Sequence, residues 1–357
     1  SDNNQNQQTE EEEYIPPAKR LITPADVEEL DPDMTELFHV GTQGCKITRI
    51  DGIDHLTKLT SVVLRSNLIH KIQNMDHLVN LEKLELYDNK IREIKHFSQF
   101  VNLKILDLSF NNISVIPDLS SLVHLEELYL ASNHIEDMSN VATAPNLRIL
   151  DLGYNGIRHI TGVSGLHHLR QLFLGRNKIE AITGLEGLEI EVLDLQSNRI
   201  RSPVGLNTLT SLKELYLAYN GIAEMHDVDQ LRNVNTLDLS NNFLTSTEGF
   251  EGFVSLEYVW LSQNKIASLD ALRVLSELSR KYGKWEWMAI AMQIDDRVSG
   301  AHAPLRNAHV PHGLSETASV GNAAGHIHDA AMRSPSPTPT PHVCNKQKTV
   351  SFPPSFL

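Results

Sequence analysis

Hydrophobic and polar positions along the chain follow one phrase, L-x-x-L-x-L-x-x-N-x-I. Its fullest copies are Leu81-x-x-Leu84-x-Leu86-x-x-Asn89-x-Ile91 and Leu169-x-x-Leu172-x-Leu174-x-x-Asn177-x-Ile179. Alignment on the asparagine gives Asn67, Asn89, Asn111, Asn133, Asn155, Asn177, Asn198, Asn220, Asn242 and Asn264. The spacing is 22 residues, except for 21 between Asn177 and Asn198. One step back, Cys45 with Leu37, Val40, Ile47 and Ile50 at the matching offsets reads as an eleventh, degraded copy. Each copy holds two periods. The L-x-L alternation predicts a short strand with its leucines inward and the intervening residues outward. After the asparagine, apolar residues recur every third position, as in Ile69, Ile72, Met75, Leu78 and Leu81. That spacing predicts a return limb of 3₁₀ or irregular turns rather than a long α-helix.

A fixed period of this length carrying this phrase is the signature of a leucine-rich-repeat solenoid. The expected fold is α/β: about eleven stacked 22-residue coils, a parallel sheet on the concave side, and a 3₁₀, irregular or short helical convex limb. The asparagine amide both donates and accepts, so it can satisfy backbone groups buried where the chain leaves the strand. Cys45 is expected to substitute for it in the first coil. No coil buries its own face, so the coils must stack. The one-residue deletion is expected in Gly184-Leu185-Glu186-Gly187-Leu188.

The flanks have other compositions. Residues 1–22, with Glu10 to Glu13, are acidic and expected to be disordered. Residues 23–36 are expected to form an N-terminal cap, from Val27, Leu30, Met34 and Leu37 with Thr23 and Asp26 near its start. The solenoid is expected over 37–280. Past Asn264 the spacing continues through Ile266, Leu269, Leu272, Leu275 and Leu278, but Lys281 and Gly283 fall where the next strand needs apolar residues. A final helix over Asp270 to Tyr282 and a capping segment over 281–296, holding Trp285 to Met292, are expected instead. Residues 297–357 form a Ser/Pro-rich tail of polyproline character, with Ser334-Pro-Ser-Pro-Thr-Pro-Thr-Pro341.

Charge and chemistry narrow the function. The formal net charge of −14 argues against a general nucleic-acid or anionic-membrane binder. Two distant cysteines, Cys45 and Cys344, build no disulfide framework and fit a reducing compartment, so nucleus and cytoplasm are expected. No apolar run reaches the 18 residues of a membrane span. The 17 histidines show no metal-ligand spacing, and P-loop, G-x-S-x-G and zincin motifs are absent from the sequence. No catalytic residues, cofactor or metal are expected.

The outward strand positions point to a protein partner. The residue between the two leucines reads Gly41, Val63, Glu85, Asp107, Tyr129, Asp151, Phe173, Asp194, Tyr216, Asp238, Trp260. From Asp107 onward acid and aromatic alternate. The row two residues earlier adds Lys83, Glu127, Gln171, Glu214 and Tyr258. The row two later is mostly small, as in Ser109, Ala131, Gly153 and Gly175, and is expected to let a partner approach. Seven acids face two bases, Arg65 and Lys83. Eight strands at about 4.8 Å span roughly 35 Å, the width of a globular partner. L-D-L is a common strand habit, which accounts for acids but not for aromatics, the residue types that anchor protein interfaces.

The 22-residue phrase, Leu172-Phe-Leu-Gly-Arg-Asn-Lys-Ile179, Leu212-Lys-Glu-Leu-Tyr-Leu217 with Asn220-Gly-Ile222, and Tyr258-Val-Trp260 resemble the leucine-rich-repeat regulatory subunit of type-1 protein phosphatase (regulatory subunit seven) over residues 35–275. The resemblance implies that concave aromatics and acids grip the phosphatase catalytic subunit; outside that complex a monomer is expected. The implied contacts are Asp107, Tyr129, Asp151, Phe173, Asp238 and Trp260, with Glu214 and Tyr216 beside them. Tyr258 stands where the family has an acid, and the family's further repeat and C-terminal cap do not follow Ala271. In the tail, Lys348-Thr349-Val350-Ser351-Phe352 fits the basic-x-Val-x-Phe docking pattern of phosphatase partners, with Lys348, Val350 and Phe352 as its anchors. The alternatives are a scaffold using the same face in axonemal or trafficking assemblies, or a splicing-associated repeat protein.

Overall fold

The structure is a computed structural model and describes residues 30–44, 46–268 and 270–282. Eleven three-residue strands follow the phrase: β1 Glu36–Phe38, β2 Ser61–Val63, β3 Lys83–Glu85, β4 Ile105–Asp107, β5 Glu127–Tyr129, β6 Ile149–Asp151, β7 Gln171–Phe173, β8 Val192–Asp194, β9 Glu214–Tyr216, β10 Thr236–Asp238 and β11 Tyr258–Trp260. They form one sheet in sequence order, and every pairing is parallel. The register keeps equivalent positions side by side, as in Leu84↔Leu106 and Glu85↔Asp107. The leucines of the L-x-L core, such as Leu84, Leu86, Leu172 and Leu174, are fully buried. This is the leucine-rich-repeat solenoid expected from the period.

The return limb turns every three residues. Leu78 N donates to Met75 O at 3.0 Å and Leu81 N to Leu78 O at 3.2 Å. Leu166 repeats this with Val163, and Leu169 with Leu166. Three residues per turn bring Met75, Leu78 and Leu81 to the same side, so all are buried. In one coil the limb tightens into a 3₁₀ helix, Ser139–Thr143.

The asparagines form a continuous ladder. Asn111 Oδ1 accepts from Ile91 N of the preceding coil at 2.9 Å. Its Nδ2 donates to Leu86 O of that coil and to Leu108 O of its own, both at 3.0 Å. The acceptor half of this pattern runs from Asn67, which takes Ile47 N, to Asn264, which takes Leu244 N. Among the described residues no buried side-chain polar atom lacks a partner.

Two local readings of the sequence are corrected. The first strand lies three residues earlier than an asparagine-based alignment puts it: Leu37 pairs with Val62 and Phe38 with Val63, leaving Val40 exposed and Gly41 beyond the strand. Gly41 N donates to Arg65 O, as Ser66 N does to Tyr87 O one coil later. Ile47 N still meets Asn67 Oδ1, so the extra three residues lie in the loop between Gly41 and Ile47. Gly41 is required there, because a Cβ would lie 2.1 Å from Ser66 O. Cys45 lies outside the described residues. The one-residue deletion falls after Leu188, not within 184–188. Leu185 and Leu188 keep the usual spacing, and Leu188 N donates to Leu185 O. Ile190 then fills the next inward place one residue early and is fully buried.

The last coil ends under a helix. Asp270–Leu272 form a 3₁₀ turn and α1 runs Arg273–Tyr282. Val274, Leu275 and Leu278, on one α-helical face, are buried against the core. Thr247, itself fully buried, ties this end to its neighbour by donating N and Oγ1 to Ala271 O, at 2.7 and 3.0 Å. Leu269, residues 23–29 of the expected cap and 283–296 of the expected capping segment lie outside the described residues.

Candidate functional site

The outward residues of β4 to β11 make a two-row face, because every side chain of a row is held at the same register. One row runs Asp107, Tyr129, Asp151, Phe173, Asp194, Tyr216, Asp238, Trp260 through direct pairings. The eight candidate contact residues, Asp107, Tyr129, Asp151, Phe173, Glu214, Tyr216, Asp238 and Trp260, therefore lie on one side of the sheet, but Asp151 is buried there and offers a partner almost no surface. Lys348, Val350 and Phe352 lie outside the described residues.

The acids have a structural duty that the sequence did not reveal. Asp107 Oδ1 accepts from Ser109 N at 3.0 Å, Asp151 from Gly153 N at 2.9 Å, Asp194 from Gln196 N at 2.9 Å and Asp238 from Ser240 N at 2.9 Å. Each carboxylate caps the backbone where its strand ends. Burial pushes the Asp107 and Asp238 carboxyls above the usual carboxylate range, and the N–H bonds from Ser109 and Ser240 oppose the rise.

The same capping explains the row of small residues. Ser109, Ala131, Ala218 and Ser240 are buried, so this row does not form the approach surface expected from the sequence. A Cβ on Gly175 would sit 2.9 Å from Asp194 Oδ2 of the next coil. Small side chains leave room for carboxylates within the protein.

The aromatics are half-buried and held in place. Tyr129 Oη donates to Glu127 Oε2 at 3.0 Å, and Tyr216 Oη to Glu214 Oε2 at 2.8 Å. Burial, then the adjacent glutamate charge and hydrogen bond, push both phenols well above the usual tyrosine range. Tyr258 stacks on Trp260 with centroids 6.3 Å apart and planes 16° from parallel. Alternate strands thus present Glu-Leu-Tyr, Gln-Leu-Phe, Glu-Leu-Tyr and Tyr-Val-Trp between Ile-Leu-Asp, Val-Leu-Asp and Thr-Leu-Asp. Rigid rings held by neighbours give up little freedom on contact, which favours them as anchors.

The amino-terminal end of the face is electrostatically different. Glu85 is buried, and its carboxylate meets Arg65 at 2.8 Å and Lys83 at 2.9 Å. One of the seven acids is therefore neutralised by both bases, and the acidic, aromatic surface begins at β4.

Sequence reading missed a second set of aromatics. The residue before each asparagine adopts a positive φ, 57° at Phe110, 56° at Tyr154 and 56° at Tyr219. All three are exposed along the edge where the strands end. Phe110 packs on Tyr87 at 4.9 Å, and Arg176 lies 5.5 Å over Tyr154. Bulky residues seldom occupy this region of φ. The signal was present as an aromatic directly before the asparagine.

Comparison with known proteins agrees with the fold. Sequence profiles described as "Leucine Rich repeats (2 copies)" match residues 79–114, 101–143 and 232–274. A second profile, "Leucine rich repeat", matches residues 123–179 and 145–200. No curated protein matches the chain. Among solved structures, the functional domain of InlJ from Listeria monocytogenes, which includes a cysteine ladder, is similar at 26% identity and a TM-score of 0.57. That match covers 66% of this chain and 50% of InlJ's, so the chain spans half the length of that relative. A leucine-rich-repeat protein of Leptospira interrogans is similar at 22% identity and a TM-score of 0.53, covering 66% of this chain and 75% of that one. Repeat, strand order, asparagine ladder and these likenesses together establish the chain's fold as a leucine-rich-repeat solenoid.

Proposed function

We propose that this protein is a regulatory subunit of type-1 Ser/Thr protein phosphatase that binds the catalytic subunit through the acidic and aromatic sheet face. The observation that carries the reading is the alternation along β4 to β11, with half-buried aromatics between capping aspartates. Tyr129, Phe173, Tyr216 and Trp260 recur every second strand, about 10 Å apart, and supply the desolvated anchors of a protein interface. Asp194, partly exposed, lies beside Phe173 in register and supplies charge that orients a basic partner surface, while buried Asp151 on the other side serves the strand end. The resemblance of residues 35–275 to the phosphatase regulator supplies the partner's identity. In this reading the protein is a monomer outside the complex and works in nucleus and cytoplasm, with neither nucleic acid nor membrane as its partner.

A second reading, a scaffold presenting the same face to another protein, is favoured by profile matches that reach the repeat alone. Isothermal titration of purified type-1 phosphatase catalytic subunit into the full chain separates the two. The proposal expects tight binding that weakens at least 100-fold in Phe173→Ala/Trp260→Ala, two anchor truncations at about 1.4 kcal/mol or more each. No binding by a folded chain leaves the scaffold reading.

A further inference from the structure

The edge where the strands end carries a strip of cations that the sheet face does not use, interrupted by one acid, Glu180, which is paired with Arg199. Arg158, Arg176, Lys178 and Arg201 lie on three consecutive coils, and among the described residues none of them has an acid within salt-bridge distance. The ladder there has a fixed rule: the third residue after one asparagine packs against the first residue after the next. Glu136 Cγ lies 3.0 Å from the Cβ position of Gly156, and Arg201 Cγ lies 3.1 Å from that of Gly221. Glu180 meets Arg199 by the same rule, as an ion pair at 3.9 Å. The rule sets Arg158 beside Lys178, two cations at a place where the next coil puts an acid and a base. Arg176, two residues from Lys178, is steered by the exposed ring of Tyr154.

We propose that this strip binds a phosphorylated serine or threonine of a partner protein, independently of what occupies the sheet face. A phosphoryl group carries roughly −1.5 to −2 charge and three acceptor oxygens, so one such group neutralises Arg158 and Lys178 together. A single carboxylate would leave one of them unmatched. The arginine fork suits phosphate geometry. The strip spans three coils, about 10 Å, which fits one modified residue with its neighbours and is too short to track a nucleic-acid backbone. The net charge of −14 also opposes a polyanion.

The test measures fluorescence anisotropy of a labelled twelve-residue Gly/Ser/Ala peptide with one central phosphoserine against the full chain. Its unphosphorylated twin and a single-stranded RNA of equal length serve as comparisons. The phosphopeptide is expected to bind at least ten-fold tighter than either, as expected for a charge-assisted hydrogen-bond pair. Lys178→Glu creates an Arg158–Glu pair like Glu180–Arg199, so it should lose the phosphopeptide while keeping or raising Tm. Arg232→Gln, on the return limb, should bind as wild type. Equal affinity for the unphosphorylated peptide, tighter binding of RNA, retention in Lys178→Glu, or equal loss in Arg232→Gln would each overturn the assignment.

Discussion

Replacing Asn111 by alanine tests the ladder that holds the coils together. The side chain is buried and makes four contacts at 2.9–3.1 Å: from Ile91 N, and to Leu86 O, Leu108 O and Ser109 O. The carbonyls are not orphaned by its loss, because Leu86 O still accepts from Asn89 Nδ2, Leu108 O from Asn133 Nδ2 and Ser109 O from Asp88 N. Ile91 N–H loses its side-chain acceptor. An orphaned buried donor costs about 1–3 kcal/mol and the loss of the two Nδ2–H donors a further ~0.5–1.5 kcal/mol each, so the expected loss is roughly 2–6 kcal/mol. Urea unfolding followed by circular dichroism gives the total, and native-state hydrogen exchange reads the Ile91 amide directly. Exchange at Ile91 should accelerate far more than at Ile113, whose N–H remains on Asn133 Oδ1. A loss below about 0.5 kcal/mol, the size of a neutral surface change, with unchanged exchange at Ile91 would refute the view that the asparagine serves mainly as that N–H's acceptor.

Three further outcomes follow from the packing and the electrostatics. Leu172→Ala empties a fully buried inward position between two coils and should cost about 2–5 kcal/mol in urea unfolding. Gly249 has φ +88°, and a Cβ there would fall onto Met225 O, so Gly249→Ala should destabilise by roughly 2–4 kcal/mol in the same assay. Burial raises the folded-state pKa of Asp107, so its contribution to stability is fully present below the unfolded carboxylate value and is lost as pH rises through the folded value. Asp107→Asn keeps an acceptor for Ser109 N without the charge. Its Tm should exceed wild type near pH 7, and the gap should close below about pH 4; a gap that widens on acidification would contradict this.

The coil was legible because its two periods have direct physical meanings. Alternation at Leu84 and Leu86 gives the strand, and spacing of three through Met75, Leu78 and Leu81 gives the 3₁₀ turns. The first strand was misplaced because alignment on the asparagine assumes a turn of constant length. The loop between Gly41 and Ile47 is longer, and only the register Leu37↔Val62 reveals it. Glycines make 184–188 look like the place for the deletion, whereas the inward demand for Ile190 puts it just beyond them. The sheet face was readable as rows, since register makes rows. The second use of its aspartates was not, because a carboxylate that caps the N–H two residues on looks the same in sequence as one that faces solvent. The strip around Arg158 and Lys178 was hidden for a related reason: its neighbours come from different coils and meet only through the packing rule on that edge.

The most direct test of the sheet face as the phosphatase-binding surface is site-specific photocrosslinking. A benzophenone amino acid at Tyr216 on the face, or at exposed Val123 on the return limb, is irradiated with purified type-1 phosphatase catalytic subunit. A covalent adduct is expected from Tyr216 and none from Val123. Adducts from Val123 alone, or equally from both sites, would contradict this.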